Sequence, residues 1–113
     1  MEAWRVAVEA ALAKKAEQFA VLDLREVASF SDTFVICSGL NSRQNQAISD
    51  AVELTLKREG IRPAGIEGYQ QAEWILMDYG DFIVHIFSPR ARAYYELERL
   101  WKPARRMNPH QEE

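Results

Sequence analysis

The stretch AEWILMDYGDFIVHIF, residues 72–87, decides the fold of this chain. It consists of two apolar runs of strand length, separated by the turn sequence Asp78–Asp81. Aspartate is a favoured turn residue, and Gly80 is able to adopt the positive φ that a tight hairpin requires. The stretch therefore predicts a β-hairpin with polar and aromatic residues at the ends of its first strand.

Helix and strand patterns continue on both sides of this hairpin. Apolar residues at helical spacing predict helices, and a β-branched run that is apolar on both faces is typical of a central strand. The predicted elements are a helix over 2–18, strands over 19–24 and 33–38, a helix from 41 or 42 to about 59, a loop or short edge strand over 63–68, hairpin strands near 72–78 and 82–87, and a helix from Ser88 to Pro103, with Tyr94, Leu97 and Trp101 facing inward. This order predicts an α/β fold, a mixed sheet of four or five strands with helices packed on it.

Composition limits the classes of function that remain open. The chain has 113 residues, a net charge of −3 and a single cysteine. This size suits one domain, which we place at residues 1–107, followed by a disordered tail over 108–113. One cysteine makes neither an internal disulfide nor a multi-cysteine zinc site, and we expect a reducing, cytoplasmic setting. Since no apolar run approaches the roughly 20 residues that span a bilayer, we expect no membrane contact.

Three patterns allow a catalytic interpretation, and each has a simpler structural one. Asp78 and Asp81 are a carboxylate pair that could hold magnesium, but turn formation explains both. The loop over 38–43 precedes a helix and could hold a phosphate, yet it matches no full nucleotide-binding motif. Cys37 and His85 could act as nucleophile and base, but a thiol in an apolar run is usually buried and inert. For His85 the open alternatives are hydrogen-bonded packing and a position near a pocket.

Basic residues near the carboxyl end allow a second kind of interpretation. Together with interleaved aromatic residues they either contact RNA phosphates or form the solvated face of a helix. These basic residues are Arg90, Arg92, Arg99, Lys102, Arg105 and Arg106.

Alternation along the first hairpin strand predicts two different faces. Trp74, Leu76 and Asp78 share one face, and the other carries Ile75, Met77 and Tyr79. One of these faces packs on the helices. If the Trp74 side is open to solvent, it forms an aromatic and aliphatic patch rimmed by carboxylates, which is the anatomy of a protein-binding hot spot. If helices cover both faces, the Trp74 side is part of the core and forms no such binding patch.

Seven motifs, taken together, resemble the ribosomal silencing factor family, also called the iojap family. The resemblance covers nearly the whole chain, from the first helix to Trp101. The motifs are SDTFVICSG at 31–39, SRQ at 42–44, EG at 67–68, AEWIL at 72–76, DYGD at 78–81, IVHIF at 83–87 and YYELERLW at 94–101.

The resemblance implies a nucleotidyltransferase-like topology without the catalytic aspartates, and hence no enzyme, cofactor or metal. Members bind the large ribosomal subunit through its protein fourteen, obstruct joining of the small subunit and repress translation when nutrients are short. The resemblance also implies a homodimer when the protein is free, and a peripheral contact with ribosomal RNA is a further expectation. A nucleotidyltransferase-like enzyme and a large-subunit assembly factor are the alternative functions.

The resemblance further implies a partner-binding surface around the hairpin tryptophan, which is Trp74 here. We extend this predicted surface to neighbouring residues on the hairpin and just before it. They are Glu67, Gly68, Glu73, Leu76, Asp78, Tyr79, Gly80 and Asp81.

Overall fold

A computed structural model describes residues 2–108. Its helices are α1 (Ala3–Ala13), α2 (Ser42–Lys57), α3 (Pro89–Tyr95) and α4 (Leu97–Leu100). Its strands are β1 (Glu17–Asp23), β2 (Thr33–Ser38), β3 (Gly65–Glu67), β4 (Trp74–Asp78), β5 (Phe82–Phe87) and β6 (Arg105–Met107). The predicted disordered tail lies, apart from Asn108, outside the described residues.

One mixed sheet contains all of these strands, in the order β3-β4-β5-β2-β1-β6. The central strands β2 and β5 are parallel, and the other neighbouring strands are antiparallel. The predicted α/β class is therefore confirmed, although the sheet has six strands rather than four or five. The unpredicted strand is β6, whose three residues include two arginines and carry no strand pattern of their own.

The helices cover the two faces of the sheet unequally. On the first face, α1 and α2 pack over β1, β2, β4 and β5 and form the larger apolar cluster. On the second face, α3, α4 and the segment that follows them cover a smaller cluster centred on β1 and β2, with Phe87 of β5. The second face is thus left less covered near β3 and β4. None of the helices within residues 2–108 is both long and apolar enough to cross a bilayer.

Two of the predicted helices end or break earlier than their sequence patterns indicate. The helix predicted over 2–18 ends at Ala13, because Lys15 has φ of 65° and β1 begins at Glu17. The carboxyl-terminal helix is divided at Glu96, where φ is 46°. This break changes the helical phase, so Tyr94 is 77% exposed instead of facing inward.

The predicted starts of α2 and α3 are confirmed, and each of these helices begins at a residue whose side chain caps it. Asn41 accepts a hydrogen bond from the Gln44 backbone N–H at 2.8 Å and caps α2. Ser88 accepts one from the Ala91 N–H at 3.1 Å and caps α3, with Pro89 at the first helical position. Such caps satisfy backbone donors that have no partner inside the helix.

Candidate protein-binding face

The part of the second sheet face formed by β3, β4 and β5 is called the Trp74 face below. Alternation along β4 is confirmed, since Ile75 and Met77 are fully buried under the helices of the first face. The strand registers place directly opposed residues on the same side of the sheet. The Trp74 face therefore consists of Gly65, Glu67, Trp74, Leu76, Asp78, Ile83, His85 and Phe87.

The indole of Trp74 is held in one orientation by its neighbours. Its Nε1–H donates a hydrogen bond to Nδ1 of His85 at 3.1 Å. Ring centroids of Tyr95 and Phe87 lie 4.7 Å and 4.9 Å from the indole. The indole is still only partly buried, so the helices of the second face do not enclose it. The sequence left two alternatives, a Trp74 side open to solvent and one covered by helices. The structure lies between them: the side is partly open, and Tyr95 of α3 covers its border.

His85 serves as the internal partner of Trp74 and is packed among aromatic rings. Its side chain is 3% exposed, and the Phe34 ring lies 4.5 Å away between centroids. Burial lowers the pKa of His85 from 6.5 to about 3, so the imidazole is neutral at ordinary pH. A neutral imidazole accepts at one nitrogen only, which matches the hydrogen bond from the indole. Of the two alternatives left open for His85, hydrogen-bonded packing is the one observed.

The sheet geometry excludes a nucleophile–base pair of Cys37 and His85, as the apolar setting of the thiol had indicated. His85 stands opposite Ile36 in the β2–β5 register, so Cys37 points to the other face. Cys37 lies in the cluster under α1 and α2, where burial raises the pKa of its thiol to about 12. A thiol in that environment stays protonated and is a poor nucleophile.

The titration of His85 makes stability depend on pH. The unfolded chain takes up a proton at this imidazole below about pH 6.5, whereas the native protein resists protonation down to about pH 3. The native state therefore loses about 2 kcal/mol of stability from this group between about pH 7 and pH 5. We expect His85→Asn, which replaces the imidazole by an amide that does not titrate and still carries an acceptor, to remove this pH dependence. Urea unfolding of both proteins at the two pH values measures it; equal pH slopes would contradict the assignment.

Three polar side chains of α2 hold the loop that leads into Trp74. Asn45 donates to the Ala72 carbonyl oxygen at 2.8 Å, and Gln46 donates to that of Tyr69 at 2.9 Å. The Tyr69 hydroxyl donates to the carboxylate of Asp50 at 2.9 Å. Inside the loop, Gly68 has φ of 80° and lies directly against the Trp74 carbonyl. The sequence motifs gave no sign of this attachment.

The predicted hairpin turn is confirmed, and Asp78 stabilises it. Its Oδ1 accepts from the Gly80 backbone N–H at 2.8 Å, and Gly80 has φ of 84°. Ser31 donates its hydroxyl hydrogen to the Gly80 carbonyl at 3.0 Å, and the Asp32 N–H donates to the Asp81 carbonyl at 2.9 Å. Within residues 2–108, no group of three histidines, cysteines or carboxylates is placed to hold a metal ion.

The structure brings some of the predicted partner-binding residues together and separates others. Four of them share the Trp74 face: Glu67, Trp74, Leu76 and Asp78. Four others lie at its borders, namely Gly68 beside Trp74, Glu73 at the start of β4, and Gly80 and Asp81 in the exposed turn.

Tyr79 is the member of the predicted surface that the fold places elsewhere. Its ring stacks on Phe82 at 4.8 Å and packs against the cluster under α1 and α2. Burial raises the pKa of its hydroxyl to about 12. Conversely, Ile83 lies on the Trp74 face and Tyr95 borders it, although neither was predicted to do so. The strand register places Ile83 there, and the break at Glu96 accompanies the position of Tyr95.

Glu73 is exposed but already engaged. Its Oε1 accepts from the Ser88 hydroxyl at 2.7 Å, and its backbone carbonyl accepts from the Ser88 N–H at 2.9 Å. These contacts join the start of β4 to the start of α3, which in turn places Tyr95 beside Trp74.

Two backbone amide groups of the loop over 38–43 already have partners within the protein. The Leu40 N–H donates to Oε1 of Gln44 at 2.7 Å, and the Gly39 N–H donates to the Phe87 carbonyl at 3.3 Å. These two donors are therefore turned inward, toward the helix and the sheet. The geometry favours the cap-and-loop interpretation over a phosphate cradle.

The basic carboxyl-terminal residues do not all share one surface. Arg92 binds Glu98 at 2.8 Å and the Ser38 hydroxyl at 3.0 Å, and its side chain is only 10% exposed. Burial raises the pKa of Glu98, but the Arg92 hydrogen bond, a backbone hydrogen bond and the charges of Arg92 and Arg106 together outweigh burial and lower this pKa. Arg105 and Arg106 alternate along β6, so they project from opposite faces of the sheet. This dispersal weakens the RNA-binding interpretation.

The fold and the Trp74 face together define a mixed α/β domain with one sheet surface partly open to solvent. A family model described as "Ribosomal silencing factor during starvation" matches residues 1–113. The chain belongs to this ribosomal silencing factor family, as its motifs indicated.

Individual relatives agree with this assignment. The chain is 42% identical over 103 residues to a protein of Halalkalibacterium halodurans named ribosomal silencing factor, covering 91% of this chain and 88% of that protein. A crystal structure of a Chromobacterium violaceum protein superposes with a TM-score of 0.85 at 33% identity, covering 90% of this chain and 88% of the other. The chain is also 30% identical over 91 residues to the mouse protein named "Mitochondrial assembly of ribosomal large subunit protein 1", covering 78% of this chain and 40% of that protein.

Proposed function

We propose that this protein binds the large ribosomal subunit through ribosomal protein fourteen and sterically blocks joining of the small subunit. The observation that carries the proposal is the Trp74 face, an incompletely covered sheet surface with an immobilised indole and a carboxylate rim. The family description and the name of the mouse relative support a ribosomal partner. The names of the relatives describe a regulatory factor and favour a function without catalysis.

The physical mechanism needs only occupancy of the partner surface. Ribosomal proteins next to RNA are rich in basic residues, so a carboxylate rim steers association and selects the partner. Trp74 provides the anchor, because a rigid aromatic residue at the centre of an interface often contributes most of the binding energy. The bound 13.0 kDa domain then occupies space that the small subunit requires.

The regulatory setting is part of the same proposal. The protein acts in the cytoplasm and represses translation under nutrient limitation, in line with the word "starvation" in the family description. The proposal also includes a homodimer of the free protein.

Cosedimentation with purified ribosomal particles tests the proposed binding. The protein is expected to travel with free large subunits, and to be absent from small subunits and from intact ribosomes. Competition with purified protein fourteen should release it from the large subunit. Equal recovery with large and small subunits, or stable recovery with intact ribosomes, would contradict the proposal.

A role in assembly of the large subunit is the second candidate, and the name of the mouse relative favours it. It predicts that cells lacking the protein accumulate incomplete large subunits during growth. Sucrose-gradient profiles of growing cells distinguish the two roles, since subunit blocking alone changes the profile only after nutrients run short.

A further inference from the structure

The registers of β3 and β4 create a gap on the Trp74 face. Glu67 stands opposite Leu76, and Gly65 stands opposite Asp78. A Cβ atom added at Gly65 would meet nothing within 4 Å, and its φ lies outside the left-handed region. A Cβ atom therefore fits at Gly65 without overlap or left-handed backbone strain, and its absence leaves the surface beside Asp78 open; this open position is called the notch below. The notch is bordered by Glu67, Leu76 and Asp78.

The borders of this notch combine negative charge with apolar surface. Neither Glu67 nor Asp78 is among the carboxylates that form ion pairs within residues 2–108. One oxygen of Asp78 accepts from the Gly80 N–H, so the carboxylate is fixed in place by the turn. Leu76 is half-buried and belongs to neither apolar cluster, so no helix packs on it as part of a core. A ligand with an apolar stem and a cationic head matches these borders.

The internal hydrogen bond of Trp74 restricts what the indole offers to a partner. Because its N–H already donates to His85, the indole presents ring carbon surface and no free donor. Such a carbon surface packs against the methylene groups of a partner side chain and donates no hydrogen bond to it.

We propose that the notch receives an arginine side chain of the partner protein. Its methylene groups lie across Leu76 toward Trp74, and its guanidinium lies between the carboxylates of Glu67 and Asp78. Arginine is preferred to lysine because its planar, forked donors match carboxylates and its methylenes cover apolar surface. The identity of the partner in this inference rests on the proposed function, whereas the notch itself is a feature of the structure.

Filling the notch tests the inference without changing charge. Gly65→Thr introduces a residue that suits a strand, so stability should be unchanged or slightly raised. Affinity for purified large subunits should fall at least about ten-fold. The matched control is Ala64→Thr, at the exposed neighbouring position, which should bind normally. If Gly65→Thr is folded and binds as tightly as the unchanged protein, the inference is wrong.

Removing the charges gives an independent test. Asp78→Asn retains the acceptor for the Gly80 N–H, and Glu67→Gln retains the side-chain shape. The double variant should bind less tightly and lose most of the salt dependence that carboxylate contacts produce. Glu59→Gln, on an exposed residue just after α2, should change neither property. An unaltered salt dependence in the double variant would contradict the inference.

A peptide probe separates failure of the notch from failure of the ribosomal proposal. A hexa-arginine peptide at low salt should shift the NMR signals of the Leu76 methyls and the Trp74 indole N–H, and Gly65→Thr should abolish these shifts. A hexa-lysine peptide should produce smaller shifts. If the arginine peptide acts elsewhere, or acts equally on Gly65→Thr, the notch assignment fails whatever the ribosomal experiments show. If the peptide behaves as expected but the protein ignores large subunits, only the proposed function fails.

Discussion

Replacing Trp74 with alanine is expected to weaken binding to the large ribosomal subunit by at least about 30-fold, or about 2 kcal/mol. The indole is already fixed by His85, Phe87 and Tyr95 in the free protein. Little conformational freedom remains to be lost on binding, so its contact area contributes efficiently to affinity. Removing it also opens the α3 end of the Trp74 face to water. Titration of labelled protein against purified large subunits gives the affinity.

Two further variants separate loss of contact from loss of fold. Trp74→Phe keeps a ring beside Tyr95 and Phe87 but loses the donor to His85, and we expect an intermediate affinity. Leu54→Ala removes an apolar side chain that is 50% exposed on α2, and it should bind normally. A folded Trp74→Ala protein with unchanged affinity would show that the partner does not contact this face.

Replacing Gly68 with alanine is expected to cost at least about 3 kcal/mol of unfolding free energy. Gly68 has φ of 80°, and a Cβ atom there would overlap the carbonyl oxygen of Trp74. Because that oxygen belongs to the backbone, relief requires moving the start of β4. The loop containing Gly68 is also attached to α2 through Asn45 and Gln46, which restricts any adjustment.

Gly60 offers a matched control for this prediction. It has the same φ of 80°, but a Cβ atom at that position would meet nothing within 4 Å. Gly60→Ala should therefore cost only the left-handed backbone penalty of about 1 kcal/mol. Urea unfolding of both variants measures the difference. Equal costs would mean that the close approach of Gly68 to Trp74 is not a constraint on the fold.

Local patterns were sufficient to predict the parts of the fold that have local causes. The run Thr33–Ser38 coincides with β2, and the caps Asn41 and Ser88 begin α2 and α3. The hairpin strands were predicted within two residues of their observed bounds, since alternation and the Asp78–Asp81 turn are encoded in adjacent residues.

Features that depend on contacts between segments far apart in the sequence were not predictable from local patterns. Strand β6 exists because β1 offers an open edge, although Arg105–Met107 has no strand pattern. No glycine or proline marks the helix break at Glu96, and the helical pattern wrongly predicted that Tyr94 faces inward. Tyr95, itself 49% exposed, is the tyrosine that contacts Trp74. The hydrogen bond between Trp74 and His85 depends on the register of two strands, which alternation alone does not fix.

The predicted partner surface also combines residues that local patterns identified with residues that only the tertiary structure brings together. Alternation correctly grouped Trp74, Leu76 and Asp78, and it also placed Tyr79 on the opposite face. Glu67 joins the group only through its pairing with Leu76 across β3 and β4. The position of Gly65 opposite Asp78 follows from the same strand pairing, so the notch could not be predicted from the sequence.

Light scattering of subunit joining tests the central claim most directly. Purified large subunits are preincubated with the protein, small subunits are added, and the formation of whole ribosomes is followed. The account predicts that joining falls in proportion to occupancy of the large subunit, and that Trp74→Ala requires a correspondingly higher concentration for the same effect. Normal joining by large subunits that are saturated with the unchanged protein would contradict it.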